Sequence, residues 1–255
     1  MAADDSLRVT TEENVSSSSV DHATNVAADG DRWGSLYRIG AVAALISVVI
    51  ILLSIITFFI WPTFPDDILV VIQQDKLAGL MGLDFMYLLG SASGLPFFLV
   101  LYVTLKEIDP GWALVALALG LVGLACLVPA RPIAEMFALS EGYAAATTDT
   151  QRAVYQAAAA GMLAHFRGTA YHLHYILGSL SLLISALLML RSELFGRATA
   201  IVGLVTNVVV FGLYVPEVGV YISLLSVVGY LIWYVQIARR LIPLGWGGLA
   251  KETGT

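Results

Sequence analysis

The amino-acid sequence predicts an all-α, polytopic membrane protein, a bundle of six transmembrane helices with both termini in the cytoplasm. Three observations predict this fold. The chain has 255 residues, of which 58% are hydrophobic and only 13% are charged, so it is far more apolar than a soluble domain. The apolar residues gather in six runs of about 20 residues, the length of helix that crosses a bilayer. The basic residues are also shared unequally between the two sets of connecting segments.

The N-terminal segment, residues 1–33, is predicted to be a disordered acidic tail. It is rich in Asp, Glu, Ser and Thr, contains four consecutive serines at 16–19, and has no apolar periodicity that would support a core. No basic region precedes a short apolar segment, so we expect no cleaved signal peptide. The first apolar run is then a signal anchor, residues 34–242 form the transmembrane domain, and residues 243–255 form a short C-terminal tail.

Six apolar runs define the predicted spans. The first follows basic and aromatic residues at 32–38, which are typical of a membrane interface. The second contains Pro96, where we expect a kink, and the third ends at the two prolines of the sequence PARP. A mixed segment, 133–156, is predicted to be a loop followed by an amphipathic helix that continues into the fourth span. The predicted spans are 39–60, 77–105, 112–128, 164–190, 198–214 and 218–241.

The orientation is predicted from the basic residues that flank the spans. Six spans place both termini on one side, and that side carries nine basic residues against four on the other. Because cytoplasmic segments carry the excess of Lys and Arg, we expect cytoplasmic termini in a multi-pass protein of the cell membrane. The nine are Arg8, Arg32, Arg38, Lys106, Arg191, Arg197, Arg239, Arg240 and Lys251, and the four are Lys76, Arg131, Arg152 and Arg167.

The net charge and the cysteine content exclude a nucleic-acid partner and an intrachain disulfide. The net charge is −6 and no basic cluster is present to neutralise phosphates, which excludes a nucleic-acid partner. The single cysteine, Cys126, lies in an apolar run and excludes an intrachain disulfide. The expected partner is the lipid bilayer, while a homo-oligomer and a membrane complex both stay open.

Polar residues from several separate regions are predicted to meet at the outer boundary of the membrane. The prediction comes from counting about 20 residues, one hydrocarbon thickness, outward from each cytoplasmic helix end. These residues either pair or snorkel at the interface, or they line an outward-facing pocket for an ion, a lipid head group or a small polar solute. An ion pair between Asp84 and Arg131 is expected in that pocket. The candidate residues are Asp84, Arg131, Glu135, His165, Arg167, His172, His174 and Glu217, with Asn207 deeper in the membrane.

The histidines are the candidate ligands for a metal ion or a haem. His165 and His172 are seven residues apart, so on one continuous helix they share a face. A zinc site would use this pair with Glu135 or Asp84, although the spacing is not the HExxH pattern. Apart from His22, every histidine lies on the same predicted helix, which disfavours a bis-histidine haem. No nucleophile elbow or phosphate-binding glycine loop is present, so no enzyme is indicated and no cofactor is expected, with zinc left open.

Three functions remain for this sequence. The leading hypothesis is binding, or a transport-like role, for a small polar ligand or a lipid at the outer pocket. The first alternative is an intramembrane metal-dependent enzyme at His165 and His172. The second is a structural or accessory subunit of a membrane complex.

Three stretches of the chain carry a family resemblance. They are YRIGAVAALISVV, LPFFLVLYVTLK and QRAVYQAAAAGMLAHFRGTAYHLHYILGSLSLLISALLMLRS. Through them, residues 37–241 resemble a bacterial and archaeal family of six-span membrane proteins known only as a domain of unknown function. The resemblance implies the six-helix fold, and it implies no site because the family has no established activity.

Overall fold

The chain is helical wherever the structure describes a regular element. The computed structural model describes the backbone of residues 3–61, 63, 65 and 67–252, and the side chains of residues 32–61, 63, 65 and 67–247. Within these ranges there are ten α-helices, one 3-10 turn and no β-strand, which confirms the all-α prediction. The elements are α1 (Ala3–Ile60), α2 (Ile68–Gln74), α3 (Lys76–Gly82), α4 (Phe85–Leu105), α5 (Pro110–Leu127), α6 (Ile133–Ala145), α7 (Asp149–Phe166), α8 (Thr169–Met189), α9 (Gly196–Val210), the 3-10 turn (Phe211–Tyr214) and α10 (Gly219–Glu252).

Six stretches of helix in the described part of the chain are long and apolar enough to cross a membrane. Their outer surfaces carry large apolar side chains, such as Phe59, which is 82% exposed. Apolar side chains in such numbers stay outside a packed core only where lipid replaces water as the solvent. The chain is therefore an integral membrane protein. The six stretches are Arg32–Ile60, Phe85–Leu105, Pro110–Leu127, Asp149–Met189, Gly196–Tyr214 and Gly219–Gly247.

The second predicted span, 77–105, is not one helix. The helix α3 ends at Gly82 and α4 begins at Phe85. Between them, Asp84 has a φ of 59°, in the left-handed region. Aspartate tolerates that conformation better than most residues, but a left-handed residue ends a right-handed helix. The single predicted helix is therefore wrong at this point, and the break turns the Asp84 side chain out of the helical register.

The fourth predicted span, 164–190, is also interrupted. The helix α7 ends at Phe166, α8 begins at Thr169, and Gly168 between them is extended. A Cβ at Gly168 would lie 3.0 Å from the carbonyl oxygen of His165, so glycine suits this close approach. His165 and His172 consequently belong to different helices, and the face that they were predicted to share does not form.

In the two predicted tails, side chains are described only for the residues next to the transmembrane domain. The tail over 1–33 has described side chains only at its last two residues, so its disorder stays a prediction. The helix α10 runs on to Glu252, beyond the predicted boundary at residue 242, and Gly245 packs against Arg38 of α1. The side chains of the last part of the C-terminal tail lie outside the described residues.

The six long helices form a closed ring. In order around it they are α1, α10, α9, α8, α5 and α4, and α4 packs in turn against α1. The helix α4 also contacts α8 across the ring. Aromatic rings fill the interior, where Phe97 lies edge-on to Trp233 and Tyr234 with ring centroids 6.5 and 4.8 Å away.

Four other helices form a cap at one end of the ring. The helices α2, α3, α6 and α7 pack against one another around a second apolar core that includes Ile68, Ile72, Met136 and Phe166. The mixed segment 133–156 thus forms two helices, α6 and α7, rather than a loop and one helix. Besides the connection from α1 to α2, three junctions link the cap to the ring, namely the break before α4, the connection between α5 and α6, and the break before α8. These three junctions place the polar residues of the site.

Candidate functional site

A buried ion pair joins two of the junctions. The Nη2 atom of Arg131 donates to Oδ2 of Asp84 at 2.9 Å, and the two side chains are 2% and 26% exposed. The predicted Asp84–Arg131 pair is therefore confirmed. Burial raises the pKa of the Asp84 carboxyl, and the charge and hydrogen bond of Arg131 lower it less than burial raises it.

Backbone carbonyls and aromatic rings, in addition to the Asp84 carboxylate, hold the guanidinium group of Arg131 in position. Its Nη1 atom donates to the carbonyl oxygens of Ala130 and Phe166, both at 3.2 Å. The rings of Tyr87, Phe166 and Tyr171 surround it, with centroids 5.3, 5.4 and 5.0 Å from Cζ. Aromatic faces attract a cation, and more strongly where water is excluded. Arg131 is thus a positive charge whose position is set by the fold.

One hydrogen-bond donor of the Arg131 side chain has no acceptor among the described residues. This donor is the buried Nε atom. Leaving a buried N–H unpaired is costly, and a charged donor more so. An acceptor that reached this guanidinium would therefore gain a contact that the protein itself does not supply.

A cavity of about 380 Å³ lies beside the ion pair. Its lining residues include two arginines, Arg131 and Arg167, and one acidic residue, Asp84. On its wall, Nδ1 of His172 lies 3.1 Å from the hydroxyl of Tyr214, at hydrogen-bonding distance. We call this space the Arg131 cavity. Its lining residues are Asp84, Arg131, Phe166, Arg167, Tyr171, His172, Leu213 and Tyr214.

His174 lies two residues beyond His172 on α8, and its side chain contacts two other helices. Its Nδ1 atom is 2.9 Å from the carbonyl oxygen of Gly123, and because a carbonyl only accepts, Nδ1 carries the proton. Its Nε2 atom is 2.9 Å from the hydroxyl of Tyr87. His174 therefore links α8 to α5 and α4 and holds one of the rings that surround Arg131, without itself lining the cavity.

Four other predicted residues lie away from the Arg131 cavity. Glu135 is exposed on α6 and lines a neighbouring, mostly apolar groove of about 850 Å³, which has Arg131 in common with the cavity. His165 is exposed, with Nε2 2.9 Å from the carbonyl oxygen of Pro129. Glu217 is exposed in the turn before α10. Asn207 is buried between α9 and α10, where it accepts from the hydroxyl of Tyr230 and donates to Gly203. The structure thus brings together Asp84, Arg131, Arg167 and His172 from the predicted set.

Three tyrosines belong to the site and were not predicted. Tyr87 and Tyr171 flank the guanidinium, and Tyr214 meets His172. Tyr171 and Tyr214 stand at the same ends of their spans as the polar residues, which is the signal in the sequence that would have found them. In apolar runs, tyrosines are usually assigned to the interface with lipid.

The described residues hold no group of three or more His, Cys, Asp or Glu side chains that could bind a metal ion. The proposed zinc pair is divided, because His165 turns to Pro129 while His172 turns to Tyr214. This geometry lends the zinc hypothesis no support.

Comparison with known proteins gives one match. Residues 33–246 match a family described as a domain of unknown function, DUF4386. No curated protein and no solved structure matches the chain significantly. The matched range covers four of the six apolar stretches entirely, the first and the last to within one residue, and every residue of the Arg131 cavity. The Arg131 cavity therefore lies within the matched residues, and the chain belongs to the DUF4386 family.

Proposed function

We propose that the protein binds a small anionic ligand in the Arg131 cavity. The observation that carries the proposal is the charge of its lining residues, which include two arginines and one aspartate. Guanidinium groups bind carboxylate and phosphate through paired hydrogen bonds. The ligand class is therefore a carboxylate or a phosphate, carried either by a free solute or by a lipid head group.

The cavity is organised for binding before any ligand arrives. Arg131 is held by two backbone carbonyls and three aromatic rings, so it loses little freedom when an anion meets it. The hydroxyl of Tyr214 and the imidazole of His172 add polar groups to the lining of the cavity. A few polar groups fixed on a largely apolar scaffold are what gives a small-molecule site its orientation and specificity.

We further propose that the six helices cross the cell membrane with both termini in the cytoplasm. The nine-to-four distribution of basic residues supports this orientation. The Arg131 cavity lies at the end of the ring away from the termini, so it would open outward.

Cysteine labelling in intact cells tests the orientation. In a Cys126→Ala background, Thr148→Cys lies in the exposed connection before α7 and Glu193→Cys in the exposed connection after α8. We expect an impermeant maleimide to label Thr148→Cys in intact cells and Glu193→Cys only after permeabilisation. The reverse pattern would overturn the proposed orientation.

Calorimetric titration of the purified protein tests the anion site. Arg167→Gln is expected to weaken binding of inorganic phosphate by roughly 10- to 100-fold, because a hydrogen bond to a charged group contributes about 1.5–3 kcal/mol. Arg152→Gln is the matched control, since Arg152 is exposed on α7 and lies outside the cavity. An equal loss in both variants, or no saturable binding by the unaltered protein, contradicts the proposal.

A second arm of the same experiment identifies the source of the anion. The protein is placed in nanodiscs of phosphatidylcholine with or without phosphatidic acid, and phosphate is titrated into each. A lipid head group in the cavity competes, so phosphate would bind more weakly in the discs that contain phosphatidic acid. Equal affinity in both kinds of disc identifies the ligand as a free solute.

A further inference from the structure

We infer that an anion binds in the Arg131 cavity together with one proton, which is taken up by Asp84. The inference rests on the anion site proposed above and adds a second ligand, the proton, at a named atom.

The Asp84 carboxylate is already bound to the guanidinium group of Arg131, which an incoming anion would also bind. Its Oδ2 atom accepts from Nη2 of Arg131 at 2.9 Å, and both side chains line the cavity. A second anion in this space lies close to the carboxylate, and two like charges that share a buried site disfavour ionisation of one of them. Protonation of Asp84 removes the repulsion and weakens its hold on Nη2.

Arg131 cannot resolve the conflict by leaving or by losing its proton. Its Nη1 atom is engaged by two backbone carbonyls, and three rings enclose the guanidinium. An arginine stays protonated in proteins. The change of charge must then occur on the carboxylate, and burial has already raised the pKa of Asp84 towards this change.

In the described structure, the Asp84 side chain does not cap the helix that it precedes. Asp75 and Asp109 also precede helices, and each accepts hydrogen bonds from backbone N–H groups of the helix that follows. Asp84 precedes α4 but makes no such capping hydrogen bond. Its charge therefore serves Arg131 rather than the helix end, so protonation does not uncap α4.

Another titratable side chain faces the same cavity and has to be separated from Asp84. Arginine and tyrosine do not change charge near neutral pH, whereas histidine does. Among the described residues around Asp84, His172 lines the cavity and His174 lies behind the Tyr87 ring, with Nε2 2.9 Å from the Tyr87 hydroxyl. The charged and titratable groups there are Arg131, Tyr87 of α4, Arg167 of the break before α8, Tyr171, His172 and His174 of α8, and Tyr214 of the 3-10 turn.

Calorimetry in two buffers tests the coupling. The probe is methanesulfonate, whose own charge stays constant from mildly acidic to mildly alkaline pH. Titrations in buffers with different ionisation enthalpies give the number of protons taken up per anion, and we expect a value of about one where Asp84 is ionised without ligand. Because the anion raises the pKa of Asp84 further, binding tightens as pH falls, by up to about tenfold per pH unit.

Two variants assign the proton. Asp84→Asn keeps a residue that tolerates the left-handed backbone and an oxygen that accepts from Arg131. We expect it to bind methanesulfonate without proton uptake and with an affinity that does not depend on pH. His172→Gln is expected to bind more weakly and still to take up the proton.

The outcomes separate this inference from the anion site itself. Binding by the unaltered protein without proton uptake overturns the coupling and leaves the site standing. Uptake that persists in Asp84→Asn, or disappears in His172→Gln, assigns the proton elsewhere and also overturns it. Absence of binding of both methanesulfonate and phosphate at every pH overturns the anion site, and the coupling with it.

Discussion

Replacing Arg131 by methionine is expected to lower the free energy of unfolding by about 3–5 kcal/mol, the usual cost of removing one partner of a buried ion pair. Methionine retains much of the side-chain volume, but it leaves the Asp84 carboxylate without its counter-charge. It also removes the hydrogen bonds to Ala130 and Phe166, of which the second joins the connection between α5 and α6 to the end of α7. Equilibrium unfolding in mixed micelles with increasing dodecyl sulfate measures the loss.

Two controls show whether burial causes this effect. Lys106 and Glu107 form a pair at 3.6 Å whose acid, Glu107, is 73% exposed, and Glu107→Gln is expected to change stability by less than about 1 kcal/mol. The double variant Arg131→Met with Asp84→Asn is expected to be more stable than Arg131→Met alone, because no lone acid remains buried. If Arg131→Met were as stable as the unaltered protein, the ion pair would not hold the cap to the ring.

Gly203→Ala is expected to destabilise the ring by about 1–3 kcal/mol, since overpacking a filled core has this cost. A Cβ on Gly203 of α9 would lie 2.5 Å from Cε2 of Trp233 on α10. Trp233 is fully buried and packs against Phe97, so it has no space into which to move. The same unfolding titration measures the change.

Gly178→Ala on α8 is the matched control. Among the described atoms, none lies within 4 Å of a Cβ built on Gly178. Because alanine favours a helix over glycine, this variant is expected to be as stable as the parent or more stable by up to about 1 kcal/mol. Equal destabilisation by both substitutions would show that Gly203 is not a close-packing position.

The fold was largely predictable because hydropathy alone decides which helices meet lipid. The first, third, fifth and sixth predicted spans each correspond to one apolar helix or to a helix with its final 3-10 turn. The breaks at Asp84 and Gly168 were missed, since apolar residues continue on both sides of each. The break at Asp84 has a tertiary cause, because the carboxylate turns towards an arginine 47 residues away. A local pattern does not contain that partner.

The depth of the site residues in the membrane was predictable, but the direction in which their side chains point was not. Counting residues along spans placed Glu135, His165 and Glu217 near the level of Arg131, but it does not say which way a side chain points. Of these, His165 is turned aside by the break at Gly168. Asp84 and Arg131 were predicted as partners because burial requires compensation of charge, a condition that holds whatever the direction.

The closed ring has a consequence for the order in which the protein is assembled. Along the chain, α1 comes before the other five helices of the ring, yet one of its two ring neighbours, α10, comes last among the six. A ribosome delivers the helices in sequence, so the face of α1 that carries Arg38, against which Gly245 packs, is not covered by α10 until that helix has been inserted. The ring therefore closes only when the first and the last of its six helices meet.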